Sequence, residues 1–108
     1  MHIEELREFC LSLPGTEEGF PFGEDTLVFK VKGKLFLLTS LTASPLQFNV
    51  KCDPEKAIEL RDEHSCIIPG YHMNKKHWNT VIIDGSLPNK MLRQMIEDSY
   101  HLVGKTKR

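Results

Sequence analysis

Thr26-Leu27-Val28-Phe29-Lys30-Val31-Lys32-Gly33-Lys34-Leu35-Phe36-Leu37-Leu38-Thr39 is the stretch that decides the fold. β-branched and aromatic residues dominate both halves, and Gly33 punctuates them. The pattern predicts a β-hairpin with its turn at Lys32-Gly33-Lys34. Alternation places Lys30 and Lys32 on one face of the first strand and Phe29 and Val31 on the other. A loop from Ser40 to Pro45 then leads to Leu46-Gln47-Phe48-Asn49-Val50-Lys51. There Leu46, Phe48 and Val50 share one face while Gln47, Asn49 and Lys51 share the opposite one. Three consecutive strands joined by short connections predict an antiparallel sheet.

The flanking segments supply helices. Ile3, Leu6, Cys10 and Leu13 recur at helical spacing, so residues 2–13 read as an amphipathic helix that Pro14-Gly15 ends. Residues 16–24 hold Gly19, Pro21 and Gly23 and read as a loop carrying Phe20 and Phe22. Downstream, Asp53-Pro54-Glu55 is a helix start: an acid at the cap, proline at the first helical position and an acid at the positive end of the dipole. That helix extends to about Glu63. A short apolar run, Cys66-Ile67-Ile68, stops at Pro69-Gly70, and a second strand, Asn79 to Ile83, stops at Asp84-Gly85. Pro88 opens a last helix with Leu92, Met95, Ile96, Ser99 and Val103 along one side. The expected fold is α+β and two-layered, an antiparallel sheet with helices on one face in the order α-β-β-β-α-β-β-α.

The 108 residues suffice for a single domain, read here as residues 1–108, and the 40% hydrophobic and 27% charged content is that of a globular chain. Three cysteines with no C-x-x-C pair argue for a reducing compartment. The acidic start lacks a targeting pattern, and the longest apolar run, Leu35 to Leu38, is too short for a bilayer. A cytoplasmic protein without a membrane partner is the expectation. The formal net charge of −1 conceals sorting. Residues 26–51 hold Lys30, Lys32, Lys34 and Lys51 and no acid, and residues 64–83 hold Lys75, Lys76 and three histidines, again with no acid. The helical blocks carry the acids.

Several strings together resemble the MmcQ/YjbR-like family: Leu13-Pro14-Gly15-Thr16-Glu17-Glu18, Val31-Lys32-Gly33-Lys34-Leu35-Phe36, Lys51-Cys52-Asp53-Pro54-Glu55, Pro69-Gly70-Tyr71-His72-Met73-Asn74-Lys75-Lys76-His77-Trp78 and Ser99-Tyr100. The resemblance runs along nearly the whole chain. It implies a two-layer α/β fold described as CyaY-like or secretion-chaperone-like, and a DNA-binding role through a "double-wing" arrangement. It implies no catalytic residues.

The candidate nucleic-acid-binding residues are Lys30, Lys32, Lys34, Lys51, Tyr71, His72, Lys75, Lys76 and Trp78. Lysines neutralise phosphate and flat aromatics stack on unpaired bases. The alternative for Trp78 and Tyr71 is a core position, where most large aromatics sit. Binding would be weak and independent of sequence, since nothing resembles a recognition helix. His64, Cys66, His72 and His77 lack a zinc spacing, so no metal is expected. Nucleotide-binding and nucleophile motifs are missing, so neither enzyme activity nor a cofactor is expected. The competing reading is a protein-interaction module, a homodimer included, paired through a sheet edge or the methionine-bearing last helix. A further one is a site for a small anion built from Lys51, His72 and Lys75.

Overall fold

The hairpin forms because two consecutive residues accept left-handed backbone. In a computed structural model of the chain, which describes residues 1–70 and 74–105, Lys32 has φ 53° and Gly33 φ 77°. Two such residues between paired Val31 and Lys34 make a turn whose twist matches that of the strands it joins. The strands are β2 (Thr26–Val31) and β3 (Lys34–Ser40).

The remaining strands are β1 (Thr16–Gly19), β4 (Gln47–Lys51), β5 (Ile67–Pro69) and β6 (Trp78–Ile82). They pair antiparallel into one sheet in the order β1-β2-β3-β4-β6-β5. The fold class and the predicted succession of elements hold, with one strand more. β1 occupies the start of the segment read as a loop. Thr-Glu-Glu-Gly has little β propensity of its own. Its backbone pairs with β2, and Arg7 of the first helix grips Glu18 through two hydrogen bonds of 2.8 and 2.6 Å. That pairing raises the Arg7 pKa and lowers that of Glu18.

Among the described residues three helices cover one face: α1 (Ile3–Ser12), α2 (Pro54–Glu63) and α3 (Asn89–Gly104). α1 lies against β1, α2 against β5 and β6, and α3 crosses β2, β3 and β4. Register fixes which strand residues meet them, because directly paired residues share a face. Leu27, Phe29, Leu37, Phe48, Val50, Val81 and Ile67 all fall on the helical side and are buried. Leu6 and Cys10 of α1, Leu60 of α2, and Leu92, Met95, Ile96 and Val103 of α3 complete the core. The methionine-bearing stripe of α3 therefore faces the sheet, and Met95 is only 7% exposed. Among the described residues no helix is long and apolar enough to cross a membrane.

β3 carries an extra residue. Phe29 pairs with Leu37 but Lys30 pairs with Leu35, so Phe36 is the bulged residue. Its ring turns into the core, 6.4 Å from Phe29 and edge-on to Tyr100 at 5.3 Å. Burying a phenylalanine is worth about 1.5–3 kcal/mol, which offsets the disturbed ladder. The Tyr100 hydroxyl then donates to the Pro14 carbonyl, tying α3 to the end of α1.

Candidate functional site

The bulge sets up what happens one residue further along. Pairing between β3 and β4 stops at Leu37 and Val50. The next pair, Phe36 and Lys51, is bridged by a side chain instead. The Ser99 hydroxyl donates to the Phe36 carbonyl at 2.6 Å and accepts from the Lys51 amide at 2.8 Å. Ser99 is fully buried, so both bonds form away from solvent. A wedge of this kind parts the strand ends, and a cleft of about 500 Å³ lies there.

Lys34 and Leu35 of β3, Lys51 of β4 and Trp78 of β6 line the cleft, and Leu102, Val103 and Lys105 close it from the end of α3. Close contact holds α3 in place: a Cβ at Gly104 would lie 3.3 Å from Val31 Cγ1. Among the described residues no carboxylate lines the cleft. Asp53 and Asp98 lie nearby around Cys52, where Asp98 and Lys56 flank a smaller crevice on the helical side. Burial, more than these charges, pushes the Cys52 thiol upward.

The turn holding Lys75 and Lys76 adjoins this end of the sheet. Trp78 N–H donates to the Asn74 carbonyl at 2.9 Å, and Cys52 N–H donates to the His77 carbonyl at 2.7 Å. Arg61 of α2 fixes the turn from below, donating to Asn79 Oδ1 at 2.7 Å and to the Lys75 carbonyl. Lys75 and Lys76 remain exposed. Lys32 sits in the hairpin turn at the same end.

Of the residues predicted from sequence, the structure thus gathers Lys34, Lys51 and Trp78 in one cleft with Lys75 and Lys76 on the adjoining turn. Lys30 stands apart. It pairs with Glu17 across the sheet and lines a separate cleft of about 310 Å³ with Glu17, Glu18 and Phe20. The basic character is therefore concentrated at one end of the sheet, whereas the middle of the face opposite the helices is Val28, Leu38 and a hydrogen-bonded Asn49–Thr80 pair, with Val28 and Thr80 buried. Trp78 is 9% exposed and packs its Cβ against Gly70, so it is a cleft wall and not an open stacking platform. Tyr71 and His72 lie outside the described residues. Lys105 and Leu102 were not singled out from sequence. Their signal was the leucine off the apolar stripe, followed by Gly104-Lys105.

Among the described residues no group of three or more histidines, cysteines or acids gathers in one place. Cys66 is 3% exposed and Cys10 fully buried. Burial alone pushes the Cys10 thiol up to about 12, far from a reactive thiolate.

With a bulged sheet, helices on one side and a lysine-rimmed cleft at its end, the chain is a small two-layer α+β protein. The chain belongs to the YjbR family, whose model matches residues 11–102. It is 40% identical over 100 residues to the Escherichia coli O157:H7 protein YbdF, covering 93% of this chain and 82% of YbdF. It is 35% identical over 100 residues to Escherichia coli K12 YjbR, covering 93% and 85%. Among solved structures, Deinococcus radiodurans protein DR2400 superposes with a TM-score of 0.91 at 46% identity, over 96% of this chain and 79% of that one. A Pseudomonas syringae crystal structure matches with a TM-score of 0.80 at 28% identity, over 94% and 98%.

Proposed function

We propose that this YjbR-family protein is a non-enzymatic DNA-binding protein that contacts the phosphate backbone with the basic end of its sheet. The observation that carries the reading is the gathering of Lys34, Lys51 and Lys105 around a cleft that no carboxylate lines among the described residues, with Lys75 and Lys76 exposed on the neighbouring turn. Glu24, Asp25 and Asp84 lie toward the opposite end of the strands, while Asp53 and Asp98 sit beside the basic end around Cys52 and temper its attraction for a polyanion. Among the described residues nothing at the basic end is shaped to read base edges, which makes the binding indifferent to sequence.

Contacts to about four phosphates lower affinity about a hundredfold between roughly 50 and 200 mM salt. The test is a titration with labelled duplex and single-stranded DNA at these salt concentrations, comparing wild type with Lys75→Ala/Lys76→Ala and Lys34→Ala/Lys51→Ala. Salt-sensitive binding that weakens in both variants supports the reading. No binding at low salt refutes it.

A protein-interaction role is the second reading, favoured by Phe20 and Phe22, which are 51% and 67% exposed in the β1–β2 loop. Light scattering at high concentration distinguishes a homodimer from a monomer.

A further inference from the structure

A face that only meets a phosphate backbone needs charge, but the open cleft at the end of the sheet also has an apolar wall. Leu35, Trp78, Leu102 and Val103 form that wall, and Lys34, Lys51 and Lys105 form the rim. Leu102 is 40% exposed, an apolar side chain that the core does not use. The volume of about 500 Å³ lies within the range of small-molecule sites, roughly 300–1,000 Å³.

We propose that the cleft is a binding site for a small organic phosphate, a phosphomonoester with a flat or short apolar body. The chemistry of the lining selects both parts. A phosphomonoester carries about −1.5 to −2 charges at neutral pH, matched by ammonium groups on three different elements. Lysine binds phosphate as a point charge and tolerates varied angles of approach, which suits an open site. The body removes Leu102 and the adjoining wall from water, a gain unavailable to inorganic phosphate. The rim is also held in position: Ser99 sets the Lys51 backbone, and the tight Gly104–Val31 approach sets the end of α3 that carries Lys105. The site shares Lys34 and Lys51 with the proposed DNA face but does not depend on DNA binding.

The only tryptophan in the chain is Trp78, in the cleft wall, so its fluorescence reports on this end of the sheet, and calorimetry with the cleft variants assigns the signal to the cleft. The full chain is titrated with phenyl phosphate, with phenol and with inorganic phosphate, by fluorescence and by calorimetry. Phenyl phosphate is expected to saturate, and to bind at least about tenfold more tightly than either part. Lys34→Ala/Lys105→Ala, at exposed positions that leave the fold intact, weakens it about tenfold or more. Leu102→Ser weakens phenyl phosphate while leaving inorganic phosphate unchanged. Failure of phenyl phosphate to saturate overturns the proposal, as does equal binding by the double-lysine variant. Parallel titration with an oligothymidine separates the two readings. DNA binding without phenyl phosphate binding removes the small-molecule site, and the reverse leaves that site standing while removing the DNA face.

Discussion

Replacing Ser99 by alanine deletes one oxygen atom and breaks both links that hold β3 to β4 beside the cleft. The hydroxyl donates to the Phe36 carbonyl at 2.6 Å and accepts from the Lys51 amide at 2.8 Å. Phe36 and Ser99 are fully buried, so the carbonyl loses its partner where water does not reach. An orphaned buried group costs about 1–3 kcal/mol. Lys51 is only half-buried, so water compensates its amide in part and its share lies at the low end. The expected loss is about 2–3 kcal/mol, read as a lower urea midpoint with an unchanged slope. Ser12→Ala is the control. Ser12 also donates to a carbonyl, that of Phe9 at 2.6 Å, but at an exposed helix end, and its loss stays within about 0.5 kcal/mol. A Ser99→Ala cost no larger than that of Ser12→Ala would refute the wedge. Direct closure of β3 onto β4 would also shrink the cost, but it would draw Lys51 inward and quench ligand binding. Measuring stability and phenyl phosphate affinity on the same variant distinguishes the two.

Gly70→Ala is expected to destabilise by about 1–3 kcal/mol, because its Cβ would lie 2.8 Å from Trp78 Cβ and 3.0 Å from the Trp78 carbonyl oxygen. Gly19→Ala, whose Cβ meets only Pro21 Cδ at 4.0 Å, is expected to cost less than about 0.5 kcal/mol in the same urea assay. Alkaline pH should weaken the fold through Cys10. Its thiol keeps its proton up to about 12 when folded and releases it near the ordinary value of 9.0 when unfolded. The folded state then binds more protons, so stability falls as pH rises between these values, by about 1.4 kcal/mol per pH unit at most. Cys10→Ala flattens that decline in urea melts between pH 8 and pH 11, and an unchanged decline contradicts the assignment.

Much of this architecture was legible because local signals agreed with the global pattern. The Asp53-Pro54 start, the 3.6-residue stripe of α3 and the alternation of Phe48 and Val50 each name both an element and its buried face. β1 was not legible. Thr16–Gly19 becomes a strand through backbone pairing and the Arg7–Glu18 pair, and neither leaves a mark within four residues of sequence. The site was half legible. Acid-free blocks pointed to lysines, but alternation alone could not show that Glu17 stands opposite Lys30, or that the bulge at Phe36 brings Lys34 and Lys51 to one cleft. Those relations arise from cross-strand register, a long-range property. Trp78 was weighed both as core and as surface, and its place is a wall between them.

The most direct test of the basic end as a nucleic-acid face is an amide and indole NMR map recorded during titration with a short single-stranded oligonucleotide at low salt. Shifts are expected at Lys34, Leu35, Lys51, Lys75, Lys76, Lys105 and the Trp78 indole, fading together as salt is raised. Shifts confined to Phe20, Phe22 and the acidic end, or no shifts at any residue, would contradict it.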